Sequence, residues 1–197
     1  MKVLHAADLH IRDKNIDEAT DCLNHLTAAA MANNVDLVVI AGDCFDSRDV
    51  RLDSKAAKLV IKTVSALADI APVAIVTGTP SHDGSAPEIL RYARGKYDVH
   101  VSSMPEQIFM RDGYIYDHTF VTPNVILTLI PTPTKQFFAS NSDIQTSNEE
   151  ISKAMNGLFA GFGAKAADFT RVPHLLIGHW NVSGSKLSTG QVLTGQE

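Results

Sequence analysis

The chain has 197 residues, 45% hydrophobic and 20% charged, with a formal net charge of -5; that is enough for one domain, residues 1–197, with a large buried core, and it lacks the basic excess that would draw the whole surface to nucleic acid. No apolar run approaches the ~20 residues of a membrane helix, and Met1 to Asp8 lacks the long apolar segment of a secretory signal, so a cytoplasmic protein without a membrane segment is expected. Cys22 and Cys44 match neither a CxxC metal knuckle nor a disulfide framework and read as free thiols.

Lys2 to Asp8 reads as a first strand that ends on Asp8 and His10. From Ile16 to Asn33, Ile16, Ala19, Leu23, Leu26 and Ala30 recur at helical spacing, with Asp17, Glu18 and Asp21 in the first turns where the helix dipole favours acids. Asn33-Asn34 stops that helix. Leu37-Val-Val-Ile40 is short, continuous and rich in β-branched residues, the pattern of a strand covered on both faces, and it runs into Gly42-Asp43. A charged loop from Asp43 to Asp49 follows, then a helix from about Ser54 to Asp69. Val73 to Val76 repeats the apolar pattern and meets Gly78-Thr-Pro-Ser-His-Asp-Gly84. A short helix is expected over Pro87 to Arg94, and strands over Val99–Val101, Gln107–Met110 and Val125–Ile130, the last closed by Pro131. Phe138 to Ser147 reads as a mobile surface loop before a helix from about Ser147 to Phe162. His174 to His179 is the last strand, and the tail from Trp180 to Glu197 shows no clear element. The β-α-β-α-β rhythm predicts a parallel or mixed sheet with helices.

Four strand ends thus carry Asp8 with His10, Asp43, His82 with Asp83, and His179. In sheets covered by helices, ligands gather beyond the carboxyl ends of the strands. Carboxylate oxygens with imidazole nitrogens suit Mn, Fe or Zn better than Mg or Ca. Asp43, on the expected central strand, has two oxygens and can bridge a pair of ions. Two ions ~3.5–4 Å apart activate water and hold both oxygens of a phosphoester displacement, so phosphoester hydrolysis is the expected chemistry.

In that order, Asp8-Leu-His10, Gly42-Asp43, His82-Asp83 and Gly178-His179 resemble the motif set of calcineurin-like metallophosphoesterases. Leu4 to His10, Val39 to Asp46 and Gly178 to Ser185 further resemble the SbcD-like nuclease subunits of the double-strand-break repair complex. The resemblance implies an α/β sandwich of mixed sheets flanked by helices. It implies that Asp8 and His10 bind a first metal, that Asp43 bridges, that His179 binds a second metal and that His82 is the catalytic histidine, with Asp83 orienting it. It also implies two Mn ions, an exonuclease or endonuclease reaction on DNA in repair or recombination, an SbcC-like ABC-type ATPase partner, and a homodimer contact near the Ser54 to Asp69 helix.

The chain departs from the family pattern twice. Gly-Asn-His-Asp becomes Gly78-Thr-Pro-Ser-His-Asp83, so Ser81 replaces the amide ligand and the second ion is expected to be weakly held or absent. The family continues to a Gly-His-x-His that has no counterpart after His179, so the C-terminal strands are expected to be missing and the chain truncated. A metallophosphoesterase with another substrate and a catalytically silent scaffold stand as alternatives. Among the remaining residues, His5 reads as a core histidine, His25, His100, His118 and His174 as surface or structural, and Asp46 and Asp49 as loop caps. Arg12, Lys14, Arg48, Arg51 and Lys186 either meet backbone phosphates or are solvated charge.

Overall fold

The computed structural model describes residues 1–119, 121–134, 148–180, 184–186 and 189–192. Its first half is a parallel four-stranded sheet in the order β1 (Val3–Ala7), β2 (Leu37–Ala41), β3 (Val73–Val76), β4 (Val99–Ser102). Helices α1 (Ile16–Asn33) and α2 (Lys55–Ala68) are the crossovers between β1, β2 and β3. A parallel pair needs such a crossover, because no tight turn can return the chain to the same end.

Both helices begin and end where their sequence says they should. The Ser54 hydroxyl accepts from the Ala57 amide at 3.1 Å to cap α2, and Asn34 turns left-handed, φ 48°, to close α1. Ala19, Leu23 and Ala30 of α1 and Ala56, Val60, Val64 and Leu67 of α2 bury one stripe each against Val38, Ile40, Val73 and Ile75 of the sheet.

The second sheet has the order β6 (Tyr114–Tyr116), β5 (Glu106–Arg111), β7 (Val125–Ile130), β8 (His174–Gly178), antiparallel except for the β7/β8 pair. Its inner face, with Ile108, Met110, Val125, Leu127, Leu129 and Ile177, packs on Leu37, Val39, Ala41, Ala74 and Val76. Helix α3 (Asn148–Ala166) covers the other face, where the Lys165 ammonium donates to the Gln107 carbonyl at 3.1 Å. The architecture is therefore helices, parallel sheet, mixed sheet, helix. This is the mixed α/β sandwich expected, and it explains the continuous apolar β2: all five of its residues are buried between two apolar layers.

Three expectations change. The short helix over Pro87 to Arg94 is a 3-10 helix, Ala86–Tyr92. Strand β6 was not anticipated, since only Ile115 of its three residues is sheltered; Asp112-Gly113, with φ of 53° and 84°, is the two-residue turn signature that announces it. His5 is exposed rather than a core histidine, because it lies on the outermost strand of its sheet. The loop expected over Phe138 to Ser147 lies outside the described residues, as does most of the tail, of which Lys186 and Val192 form an isolated bridge.

Leu127 is fully buried between the sheets, so Leu127→Ala should destabilise the fold by about 2–5 kcal/mol. Ser54→Ala, which removes only a cap, should cost about 1 kcal/mol. Denaturant midpoints at equal m-values check both, and the order of the two effects is the point at stake.

Candidate metal centre

The loops that follow β1, β2 and β3 meet beyond the carboxyl ends of the parallel sheet. Asp8 and His10 continue β1 alongside the turn after β2: the amides of Asp8, His10 and Ile11 donate to the carbonyls of Gly42, Asp43 and Cys44 at 3.2, 2.9 and 3.1 Å. The price is backbone strain. Among the described residues five non-glycines have positive φ, and three of them are Asp8 (53°), His10 (45°) and Asp43 (50°); such conformations persist where surrounding structure over-determines them, typically at sites of function. Gly42, φ 78°, precedes Asp43, and a Cβ there would fall 2.3 Å from the His179 ring.

His179 arrives from the second sheet, at the end of β8. Its Nε2 lies 3.4 Å from Asp43 Oδ2 and 3.9 Å from Asp8 Oδ1. His10 Nε2 lies 3.8 Å from Asp43 Oδ2 and 3.7 Å from Asp8 Oδ1. Ligand atoms spaced in this way suit an ion held about 2.0–2.2 Å from each. Both imidazoles therefore lie within 4 Å of the same two carboxylates, with Asp8, His10 and Asp43 the tightest group, and the donor set fits Mn, Fe or Zn. The sequence-predicted residues Asp8, His10, Asp43 and His179 are all brought together. His179 Nδ1 sits 2.8 Å from the Ala41 carbonyl, which can only accept, so Nδ1 carries the hydrogen and Nε2 is free to ligate. Asp43 is 3% exposed, while the Asp8 side chain is 60% exposed and remains open to solvent.

The other carboxylate oxygen of Asp43 is already engaged. Asp43 Oδ1 accepts from the Thr79 amide at 2.6 Å and from its hydroxyl at 3.0 Å. Ser81, expected in the place of the amide ligand, is exposed, and its hydroxyl donates to the Thr79 hydroxyl at 3.4 Å rather than facing Asp43. The residue directly after Gly78, not the one before His82, is the one against Asp43. The Thr-Pro insertion had obscured that alignment, although the Gly-Thr junction could have revealed it.

Asp83 is fully buried, and its carboxylate accepts from the amides of Phe45, at 3.0 Å, and Gly78, at 2.8 Å. Burial pushes its carboxyl up, while those two amides pull it back. It braces two loops, and the expected Asp83 to His82 pairing is not what orients the histidine. His82 Nδ1 instead lies 2.9 Å from the Asp46 carbonyl, which leaves Nε2 available to a substrate. Its ring meets the His10 ring edge to face, with centroids 4.6 Å apart. Asp46, expected as a loop cap, belongs to this cluster with His10 and His82. A cavity of about 380 Å³ opens beside the centre, lined by His5, Asp8, Thr79, His179 and Trp180 among others. Cys44, next to Asp43, is buried; burial first, then the Asp83 and Asp43 carboxylates, push its thiol up and keep it unreactive.

A Cβ at Gly78 would lie 2.0 Å from Asp43 Oδ1 and 2.2 Å from the Asp43 amide nitrogen. Gly78→Ala should therefore weaken divalent-ion binding by at least tenfold while removing no ligand, as calorimetric titration with Mn would show. Unchanged affinity would mean that the Asp43 turn adapts freely.

Comparison with known proteins gives a family match and two partial likenesses. The family description "calcineurin-like phosphoesterase" matches residues 1–151. The SbcD subunit of the SbcCD nuclease of Bacillus subtilis (strain 168) is 32% identical over 88 residues, an alignment that covers 42% of this chain and 22% of that protein. Among solved structures, one described as GAP50, the anchor in the inner membrane complex of Plasmodium, superposes with a TM-score of 0.49 at 14% identity, over 96% of this chain and 57% of that one. With the family match spanning most of its length and the ligand set assembled at the strand ends, the chain belongs to the calcineurin-like phosphoesterase family.

Proposed function

We propose that the chain is the catalytic portion of an SbcD-like, Mn-dependent DNA nuclease, an exonuclease or endonuclease that works in repair or recombination with an SbcC-like ABC-type ATPase. Family membership supports phosphoester hydrolysis with divalent metals. The narrower reading draws on the partial alignment with the B. subtilis nuclease protein, of which the chain spans 22%. The observation that carries it is the convergence of His10 and His179, from the two sheets, on the same two carboxylates, each Nε2 lying 3.4–3.9 Å from Asp8 Oδ1 and Asp43 Oδ2.

Divalent ions held there would polarise a phosphoryl oxygen and make water a competent nucleophile near neutral pH. The chain's own residues do the rest. His82, held through Nδ1 by the Asp46 carbonyl and packed edge to face on His10, keeps Nε2 free and protonates the departing oxygen or steadies the charge developing on the phosphate. Asp43 would be the carboxylate shared by the ions, holding them through Oδ2 while Thr79 fixes its Oδ1. The second ion is the weaker one, because a hydroxyl stands where the family has an amide. Binding of the DNA backbone falls to local cations rather than to net charge. Arg48 is exposed at the rim with only a long 4.0 Å approach to Asp49, whereas Arg12 and Arg51 hydrogen-bond Asp46 and Asp53.

With Mn present, labelled duplex and single-stranded DNA should be cleaved. Asp43→Ala should lose both ion binding and cleavage. His82→Ala should keep the ions and lose about 10²–10⁴-fold in turnover. Hydrolysis of bis(p-nitrophenyl) phosphate without cleavage of DNA would transfer the assignment to a small phosphodiester. Bound Mn with no turnover on either substrate would point to a silent binding module.

A further inference from the structure

We propose that the Asp46 carboxylate, anchored by Arg12, is the positioning residue that aims His10 at the metal centre; the inference rests on the metal-site reading above. His10 faces Asp8 and Asp43 through Nε2. A neutral imidazole that offers one nitrogen to an ion keeps a hydrogen on the other, so His10 Nδ1 must donate. That nitrogen is buried and has no hydrogen-bond partner. An unsatisfied buried donor is costly, and a native site provides it an acceptor. Asp46 Oδ1 stands 3.8 Å from it, so closing by about 0.9 Å makes an ordinary hydrogen bond.

The remaining contacts hold Asp46 in place for that role. Its Oδ2 accepts from Arg12 Nη1 at 3.1 Å, which leaves Oδ1 directed at His10. Its backbone carbonyl receives His82 Nδ1, and the His82 ring sits edge-on against the His10 ring at 4.6 Å. His10 is thus bounded by His82 on one side and by a carboxylate behind it. The same three residues, His10, Asp46 and His82, are close enough to be taken for an ion site of their own. That would need His10 to ligate through both ring nitrogens, which a neutral imidazole cannot do, and His82 Nδ1 is already committed to a carbonyl. A chain of hydrogen bonds from Arg12 through Asp46 to His10 accounts for the cluster with every atom in its ordinary protonation state. A carboxylate behind a ligating histidine also raises the basicity of the ligating nitrogen.

The test is calorimetric titration of the metal-free protein with MnCl₂, paired with the visible absorption spectrum of the Co(II) form, for the wild type, Asp46→Asn and Asp46→Ala. Wild type should bind tightest. Asp46→Ala should bind about 10–100-fold more weakly and shift the Co(II) bands. Asp46→Asn, whose amide oxygen still accepts from Nδ1, should fall between them. Thermal midpoints in chelator should stay together, since the Asp46 side chain is partly exposed and packs in no core. Wild-type Mn affinity with an unchanged Co(II) spectrum in Asp46→Ala overturns the positioning role and leaves the metal centre standing. Equal losses in Asp46→Asn and Asp46→Ala also overturn it, because the retained acceptor would then count for nothing. A wild type that binds no Mn overturns the metal-site reading itself, and this inference with it.

Discussion

The site depends on one buried carboxylate. Asp43 is 3% exposed at the end of a strand enclosed on both faces, and a charge in such a place is tolerated only with compensation. Thr79 compensates one oxygen with an amide and a hydroxyl, and the other oxygen faces two histidines. The close approach of Thr79 is possible because Gly78 has no Cβ to strike Asp43. A cation held by Asp43, Asp8 and the histidines would complete the compensation, which is the physical reason to read the cluster as a candidate metal centre rather than as structural polarity.

The sandwich exists, from the standpoint of that carboxylate, to bring two sheets to the same place. The parallel sheet delivers Asp8, His10, Asp43 and His82 from its carboxyl ends, where the loops after successive strands become neighbours. His179 comes from the far sheet and is held across the divide by Ala41, while Thr132 donates to its backbone carbonyl at 2.9 Å. The apolar layer of Leu37, Val39, Val76, Leu127 and Leu129 therefore does more than stabilise the fold. It sets the separation of the sheets, and with it the distance from His179 to Asp43.

Backbone carbonyls choose the nitrogen that each of two histidines presents. Ala41 takes Nδ1 of His179 and Asp46 takes Nδ1 of His82, so each ring keeps Nε2 free, and that of His179 faces Asp43 and Asp8. Asp83 braces the two loops that carry these groups by joining the amides of Phe45 and Gly78, and the Arg48 amide adds a bond to the Ser81 carbonyl at 3.2 Å. The protein's own hydrogen bonds thus position these groups, which lowers the cost of assembling ligands around an ion.

The elements whose side chains repeat with a clear period were legible without coordinates. Ile16 to Asn33, Val73 to Val76 and Val125 to Ile130 form where their apolar spacing places them, because local burial and capping decide such segments. The ligand candidates were legible as well, because Asp or His recurs after four apolar strands in the family's order, although a single such residue reads first as a turn opener. What the chain could not state alone is which neighbour each polar atom meets. Thr79 rather than Ser81 lies on Asp43, Asp83 faces amides rather than His82, and Asp46 stands behind His10. These pairings join residues up to 38 positions apart, and a two-residue insertion or one turn of loop reassigns them without disturbing any local pattern. Composition and periodicity determined the strands, the helices and the residue types at the strand ends; only the packing of one sheet on the other, and of one loop on the next, decided the hydrogen bonds that make those residues a site.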